Sequence, residues 1–337
     1  MRGIVFTGNR KVEMREFPDP VPGPGEAVVR MRASGICGSD LTPYRADRVN
    51  SYISGHEPCG VVAALGEHAA GAKVGDRVIV YHYSGDGTCK YCRTGWEQMC
   101  PNGRKTYGFG HNGGNADYIL VPARTLVPLP DELSFEEGAA IACGTGTAYG
   151  AMLRLQASGR DTLAVFGAGP VGLSAVLLAR AMGARVIAVD ISPARLDFAR
   201  ELGADHTINS REVEPLPAIA DLTHGEGADL AVDCTGNAEA RAQMVRCVRI
   251  FGTACFVGEG GTVTLNVSPD VIKKRLTIMG SWTFSMPMLG ECARFIVDRK
   301  VPLHRLITGR YTLDQAARAM ADFEGGSVGK SVFVMPE

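Results

Sequence analysis

Three short words in the first half of the chain contain donors for a soft divalent metal: Cys37 in GICGSD, His56 in GHEPCG and Cys143 in IACGTGT. Two thiolates and one imidazole leave a fourth tetrahedral position open, which is a donor set for catalytic zinc. The three lie far apart in the chain, so spacing alone does not separate them from small core cysteines and a satisfied buried histidine. A second group, Cys89-x-x-Cys92-x7-Cys100, has the tight spacing of a metal lobe. A third stretch, residues 163–190, suits phosphate. Gly167, Gly169 and Gly172 form G-x-G-x-x-G between an apolar run at 163–166 and a helix at 171–182. Gly167 permits a tight turn, Gly169 lets a pyrophosphate approach the backbone, and Gly172 lets the helix pack closely on the strand. Pro170 and Val171 open that helix, whose N-terminal N–H groups and dipole attract phosphate. A second apolar run, 185–189, ends at Asp190. An acid at this distance bonds the ribose hydroxyls of NAD and repels the 2′-phosphate of NADP. Arg195 follows, either stacked on adenine or solvated on its helix.

These groups need a scaffold to bring them together. A chain of 337 residues is long for one domain, and two are expected. Up to about residue 127, short β-like runs (26–32, 60–65, 77–82 and 116–122) alternate with glycine and proline, as in a small irregular β-barrel. Residues 134–154 read as helical at both ends, with Cys143 between them and a capping box of Ser134 and Glu137 at the start. Beyond Asp190, helices at 192–202 and 238–250 alternate with strands at 206–208, 229–233, 253–257 and 276–279. Together with the two strands around the glycines, these predict a six-stranded, doubly wound parallel sheet. Two helices (289–298 and 313–323) and a strand (331–335) close the chain and are expected to rejoin the first domain. The nucleotide domain is then an insertion, and chemistry is expected in the cleft between domains.

Composition narrows the class. The formal net charge is -1, which argues against a nucleic-acid partner. No charged-then-apolar leader stands at the start, and the most apolar helix is too short to span a bilayer, so no membrane partner and a cytoplasmic location are expected. The ten cysteines then read as metal ligands or reduced thiols, with Cys59, Cys234, Cys247, Cys255 and Cys292 in the core.

The words GICGSD, GHExxG with a further glycine at Gly66, and CGxxTAYG closely resemble those of the zinc-containing medium-chain alcohol dehydrogenases, which include sorbitol and threonine dehydrogenases. The resemblance runs from MRGIVF to GKSVFV. It implies a GroES-like irregular β-barrel catalytic domain (1–150 and 284–337) and a Rossmann NAD-binding domain (151–283). By this resemblance Cys37, His56 and Cys143 match the catalytic zinc ligands. Glu57 matches the acid beside the metal, and Asp40 the carboxylate that orients the ligand histidine. Ser39 matches the hydroxyl that bonds the substrate oxygen. Thr42 stands where the family commonly has a proton-relaying histidine, and Asp86 where it has the first of four structural zinc cysteines. A Cys3Asp zinc site, three metal-free thiols, or a fourth ligand such as His82 all remain open for the lobe. Thr147 and the segments 234–236 and 257–259, with Cys234 and Val257, are implied to line the nicotinamide.

The resemblance thus implies Zn2+ and NAD as cofactors. The implied reaction is hydride transfer between NAD(H) and a small alcohol or carbonyl, a primary or secondary alcohol or a polyol. Thr42, Tyr44, His82, Trp282 and Phe284 are candidates for the substrate pocket. A homo-oligomer, dimer or tetramer, is expected by analogy, with a strand at 262–267 pairing across a two-fold axis. The competing reading is an NAD-binding structural or sensor protein with little turnover.

Overall fold

The computed structural model describes residues 1–336. The chain divides into two compact units, one of Met1–Gly146, Phe284–Lys300 and Ile307–Glu337, the other of Thr147–Thr283 and Val301–Leu306.

The second unit is built on six parallel strands in the order His206–Asn209, Arg185–Asp190, Thr162–Phe166, Ala228–Asp233, Val248–Phe256, Thr277–Gly280. Leu163, Ala164, Val186, Ile187 and Ala231 are at most 1 % exposed, as expected of a sheet covered on both faces. The helix Pro170–Ala181 follows strand Thr162–Phe166 through Gly167, whose φ of 96° only glycine adopts readily. A Cβ on Gly172 would overlap the Gly167 carbonyl, so the close helix–strand approach requires glycine there.

One expectation is corrected in this unit. The helix expected over 238–250 stops at Arg246, and Val248–Phe256 is strand. The Ala228 N–H captures the Cys247 carbonyl at 2.9 Å, which draws the chain into the sheet before the helical pattern runs out. Residues 262–267 pair with no strand of this chain.

The first unit carries a seven-stranded sheet. Its main path runs Leu126–Pro128, Arg77–Val80, Pro58–Leu65, Glu26–Gly35, Lys330–Val334, Ile307–Tyr311, and Tyr118–Pro122 also pairs with Glu26–Gly35. Phe6, Val29, Met31, Ile119 and Phe333 form its core. The C-terminal strand pairs antiparallel with Glu26–Gly35, setting Val332 opposite Gly35. That pairing brings the last residues of the chain to the segment carrying Cys37.

Candidate metal centres and cofactor crevice

Cys37 caps a 3-10 turn, Gly38–Asp40, just past the end of strand Glu26–Gly35. His56 precedes strand Pro58–Leu65, and Cys143 sits on a π-helical turn, Ile141–Thr145, between two α-helices. The thiols of Cys37 and Cys143, a His56 nitrogen and a Glu57 oxygen lie within 4.8 Å of one another. Tetrahedral zinc with Zn–S near 2.3 Å and Zn–N near 2.0 Å needs ligand separations of roughly 3.5–3.8 Å, which this cluster can supply. The folds of three distant segments therefore bring together what chain spacing left open.

Asp40 joins two of these donors. Its Oδ2 accepts from the Cys37 N–H at 2.8 Å, and its Oδ1 lies 3.0 Å from His56 Nδ1. With Nδ1–H given to Asp40, the lone pair of Nε2 is left for a metal. Burial opposes charge on His56, but Asp40 and Cys37 outweigh it and raise the imidazole well above its ordinary range. The hydrogen bond from Cys143, with help from His56, holds the Cys37 thiol well below its usual range. The same hydrogen bond and burial push the Cys143 thiol the other way, well above its usual range. We expect Asp40→Asn to weaken zinc binding here by about 10–100-fold, read by chelator competition.

Glu57 is fully buried and ion-paired with Lys330, itself 1 % exposed, which also donates to the Ile36 carbonyl at 2.8 Å. Burial pushes the Glu57 carboxyl up to about 7, against the pull of Lys330. A Cβ on Gly35 would overlap Glu57 Oε2, so the acid's place depends on glycine at 35. Lys330 was not foreseen. Its only signal is a charge at the head of a strand that is otherwise buried.

Ser39 Oγ lies 3.3 Å from His56 Nε2, while Thr42 is exposed on the short helix Leu41–Arg45. His82 is buried with its ring centroid 5.3 Å from that of His56, so it is not the fourth donor of the cysteine lobe. Tyr44 packs against Phe6 and Phe284 against Tyr81, both inside the core of the unit. Trp282 donates to Glu259 at 2.5 Å.

In the lobe, Cys89, Cys92 and Cys100 gather with Asp86. Cys89 Sγ lies 3.4 Å from Cys92 Sγ and 3.9 Å from Cys100 Sγ, bracketing the roughly 3.8 Å edge of a tetrahedron of zinc thiolates. Asp86 is held in place by N–H donors. Its Oδ1 accepts from Cys89 N at 3.0 Å and Thr88 N at 2.8 Å, and its Oδ2 from Asn102 Nδ2 at 2.5 Å. The Cys89 N–H, the Asn102 amide and the Thr88 N–H keep the carboxyl below the usual carboxylate range. An ionised carboxylate so fixed fits zinc as the fourth donor. Two zinc ions per chain are expected. In Asp86→Ala the lobe metal should exchange with a chelator more than about tenfold faster, while the other is retained.

The phosphate turn and its neighbours lie at the carboxyl ends of the parallel strands, where such sheets bind ligands. A Cβ on Gly169, the N-cap of helix Pro170–Ala181, would meet nothing within 4 Å, which leaves room for a pyrophosphate. The Asp190 carboxylate faces the backbone, accepting from Ala168 N at 2.6 Å, Ile191 N at 2.8 Å and Ser192 N at 2.9 Å. Arg195 is half-buried on helix Pro193–Glu201 and has no hydrogen bond or ion pair among the described residues. Cys234 N donates to Phe166 O at 2.8 Å and Val257 N to Asp233 O at 3.0 Å, tying both segments to strand ends. Thr147 is buried in helix Gly146–Leu155.

A doubly wound nucleotide sheet in a chain that also gathers two thiols and an imidazole defines a zinc-dependent, dinucleotide-using oxidoreductase. Family comparison agrees. Residues 23–131 match the alcohol dehydrogenase GroES-like domain and residues 170–298 the zinc-binding dehydrogenase family. The chain is 42 % identical, over all of its length and 99 % of the relative's, to the uncharacterized zinc-type alcohol dehydrogenase-like protein YphC of Escherichia coli (strain K12). It is 33 % identical to a sorbitol dehydrogenase of Bacillus subtilis (strain 168), covering 95 % of this chain and 92 % of that one. Among solved structures it resembles the alcohol dehydrogenase TADH of Thermus sp. ATN1, with a TM-score of 0.91, 30 % identity and all of both chains covered. The chain belongs to the zinc-type alcohol dehydrogenase family, which its family description marks as zinc-binding. These comparisons support the oxidoreductase and not the binding-only reading. Among the described residues no helix is long and apolar enough to cross a membrane.

Proposed function

We propose that the protein oxidises a primary or secondary alcohol, polyols included, with NAD as hydride acceptor, and reduces the matching carbonyl in reverse. The unit of Thr147–Thr283 and Val301–Leu306 would hold NAD and the other unit both metals. The observation that carries the reading is the buried cluster of Cys37, His56 and Cys143, with the histidine tautomer set by Asp40. Bound there, zinc would act as a Lewis acid on the substrate oxygen and NAD would accept the hydride. Cys37 supplies the thiolate, and Asp40 keeps the His56 ring oriented. Ser39 Oγ, beside His56 Nε2, accepts the proton that leaves the alcohol while releasing its own hydroxyl proton outward. Thr42, exposed just beyond it, passes that proton to water through a hydroxyl with no titration near neutral pH.

Thr42→His should therefore add an inflection near the free histidine value of about 6.5 to the pH–rate profile, where the native profile has none from this position. Identical profiles would remove Thr42 from the relay.

The governing experiment is NADH formation across simple alcohols, polyols and β-hydroxy amino acids, before and after zinc removal. Zinc-dependent turnover supports the proposal. NADH binding without zinc-dependent turnover on any of them would replace it with a binding-only role. The ten free cysteines suit a reducing, cytoplasmic compartment. We also infer a homo-oligomer, since the strand Thr277–Gly280 leaves its outer edge unpaired and Ile278 exposed. Light scattering tests that.

A further inference from the structure

A buried ion pair that none of the steps above uses joins the loops after strands Ala228–Asp233 and Val248–Phe256. Asp233 is fully buried and Arg241 7 % exposed. Arg241 Nε donates to Asp233 Oδ2 at 2.9 Å, and Arg241 Nη2 donates to the Gly258 carbonyl. The other carboxylate oxygen, Oδ1, accepts from Thr235 N at 2.8 Å, Thr235 Oγ1 at 2.6 Å and Gly236 N at 3.2 Å. The Asp233 carbonyl accepts from Val257 N at 3.0 Å and Gly258 N at 2.9 Å. One acid and one guanidinium thus fix two loops to each other. The loops touch so closely that a Cβ on Gly258 would overlap Gly236 N. The first loop also abuts the phosphate turn, since a Cβ on Gly167 would lie 2.7 Å from Thr235 Cγ2.

Apolar side chains could pack such a junction at least as stably, because two buried charges carry a desolvation cost. What the pair adds is geometry: four donors on one carboxylate and a guanidinium fork that reaches a second loop. We propose that Arg241 is a positioning residue for the cofactor. Through Asp233 and the Gly258 carbonyl it holds segments 234–237 and 257–261 against the Gly167 turn, so that the dinucleotide meets a preformed wall. The proposal rests on the reading that this crevice takes NAD.

The test measures the NADH dissociation constant by fluorescence titration of the zinc-loaded protein, well below each variant's melting temperature. Arg241→Gln is expected to raise it by ~10-fold or more. Arg241→Lys, which keeps a charge on Asp233 but cannot also reach Gly258, should fall between the two. Zinc content should stay at the wild-type value, and kcat at saturating NAD should change much less than KM for NAD. Val245→Ala, a truncation in the core of the same unit, is the stability control and should lower the melting temperature without moving the dissociation constant. Unchanged NADH binding in both Arg241 variants overturns the proposal, and so does an equal rise in Val245→Ala. Should Arg241→Gln not fold, Arg241→Lys alone decides between these outcomes. A wild-type protein that binds no NADH would refute the cofactor reading itself and the proposal with it.

Discussion

His56→Ala is expected to lose one zinc per chain and to lower kcat/KM by about 10^3-fold or more, equivalent to roughly 4 kcal/mol of transition-state stabilisation. His56 is the one imidazole in the cluster, and Asp40 Oδ1 orients its ring. Without the ring, Cys37 and Cys143 are left with Glu57, whose carboxylate is tied to Lys330. The lobe at Asp86, Cys89, Cys92 and Cys100 shares no donor with this cluster and should keep its metal. NADH binding should be unchanged, because the phosphate turn lies in the other unit. Metal analysis, steady-state kinetics and an NADH titration check these outcomes. Two retained zinc ions with activity within tenfold of wild type would remove His56 from the centre.

Lys330→Met should destabilise the first unit by about 3–5 kcal/mol, read by denaturant unfolding. The substitution strands the Glu57 carboxylate at full burial and leaves the Ile36 carbonyl without its donor. Glu57→Gln combined with Lys330→Met should recover part of that loss, because no bare charge then remains inside. A single variant as stable as wild type would mean that the pair is not charged in the folded chain.

The parts of the fold written in local pattern were readable from the chain. Apolar runs ended by glycines and an acid define the nucleotide sheet, and Gly167 and Gly172 make the tight turn and the close helix–strand approach that their spacing implies. The ends of elements were less so. The helix Ala238–Arg246 stops because its carboxyl end is captured by a neighbouring strand, which no local preference encodes. The donors Cys37, His56 and Cys143 were legible as residue types, but only tertiary packing brings their atoms together. Lys330 and Arg241 were invisible for the same reason. Each is a charge whose partner lies across the fold or one helical turn past a loop, and in a single sequence each reads as an ordinary solvated cation.

The contact of Gly35 with Glu57 couples two sites that lie 22 residues apart in the chain. The space that alanine would need at 35 is already filled by the far end of the acid, and the acid cannot withdraw without leaving its lysine. Substitution at either site is therefore conditional on the other. A methyl group at 35 becomes tolerable only after the side chain at 57 has shortened, so any drift at these two positions must proceed in that order.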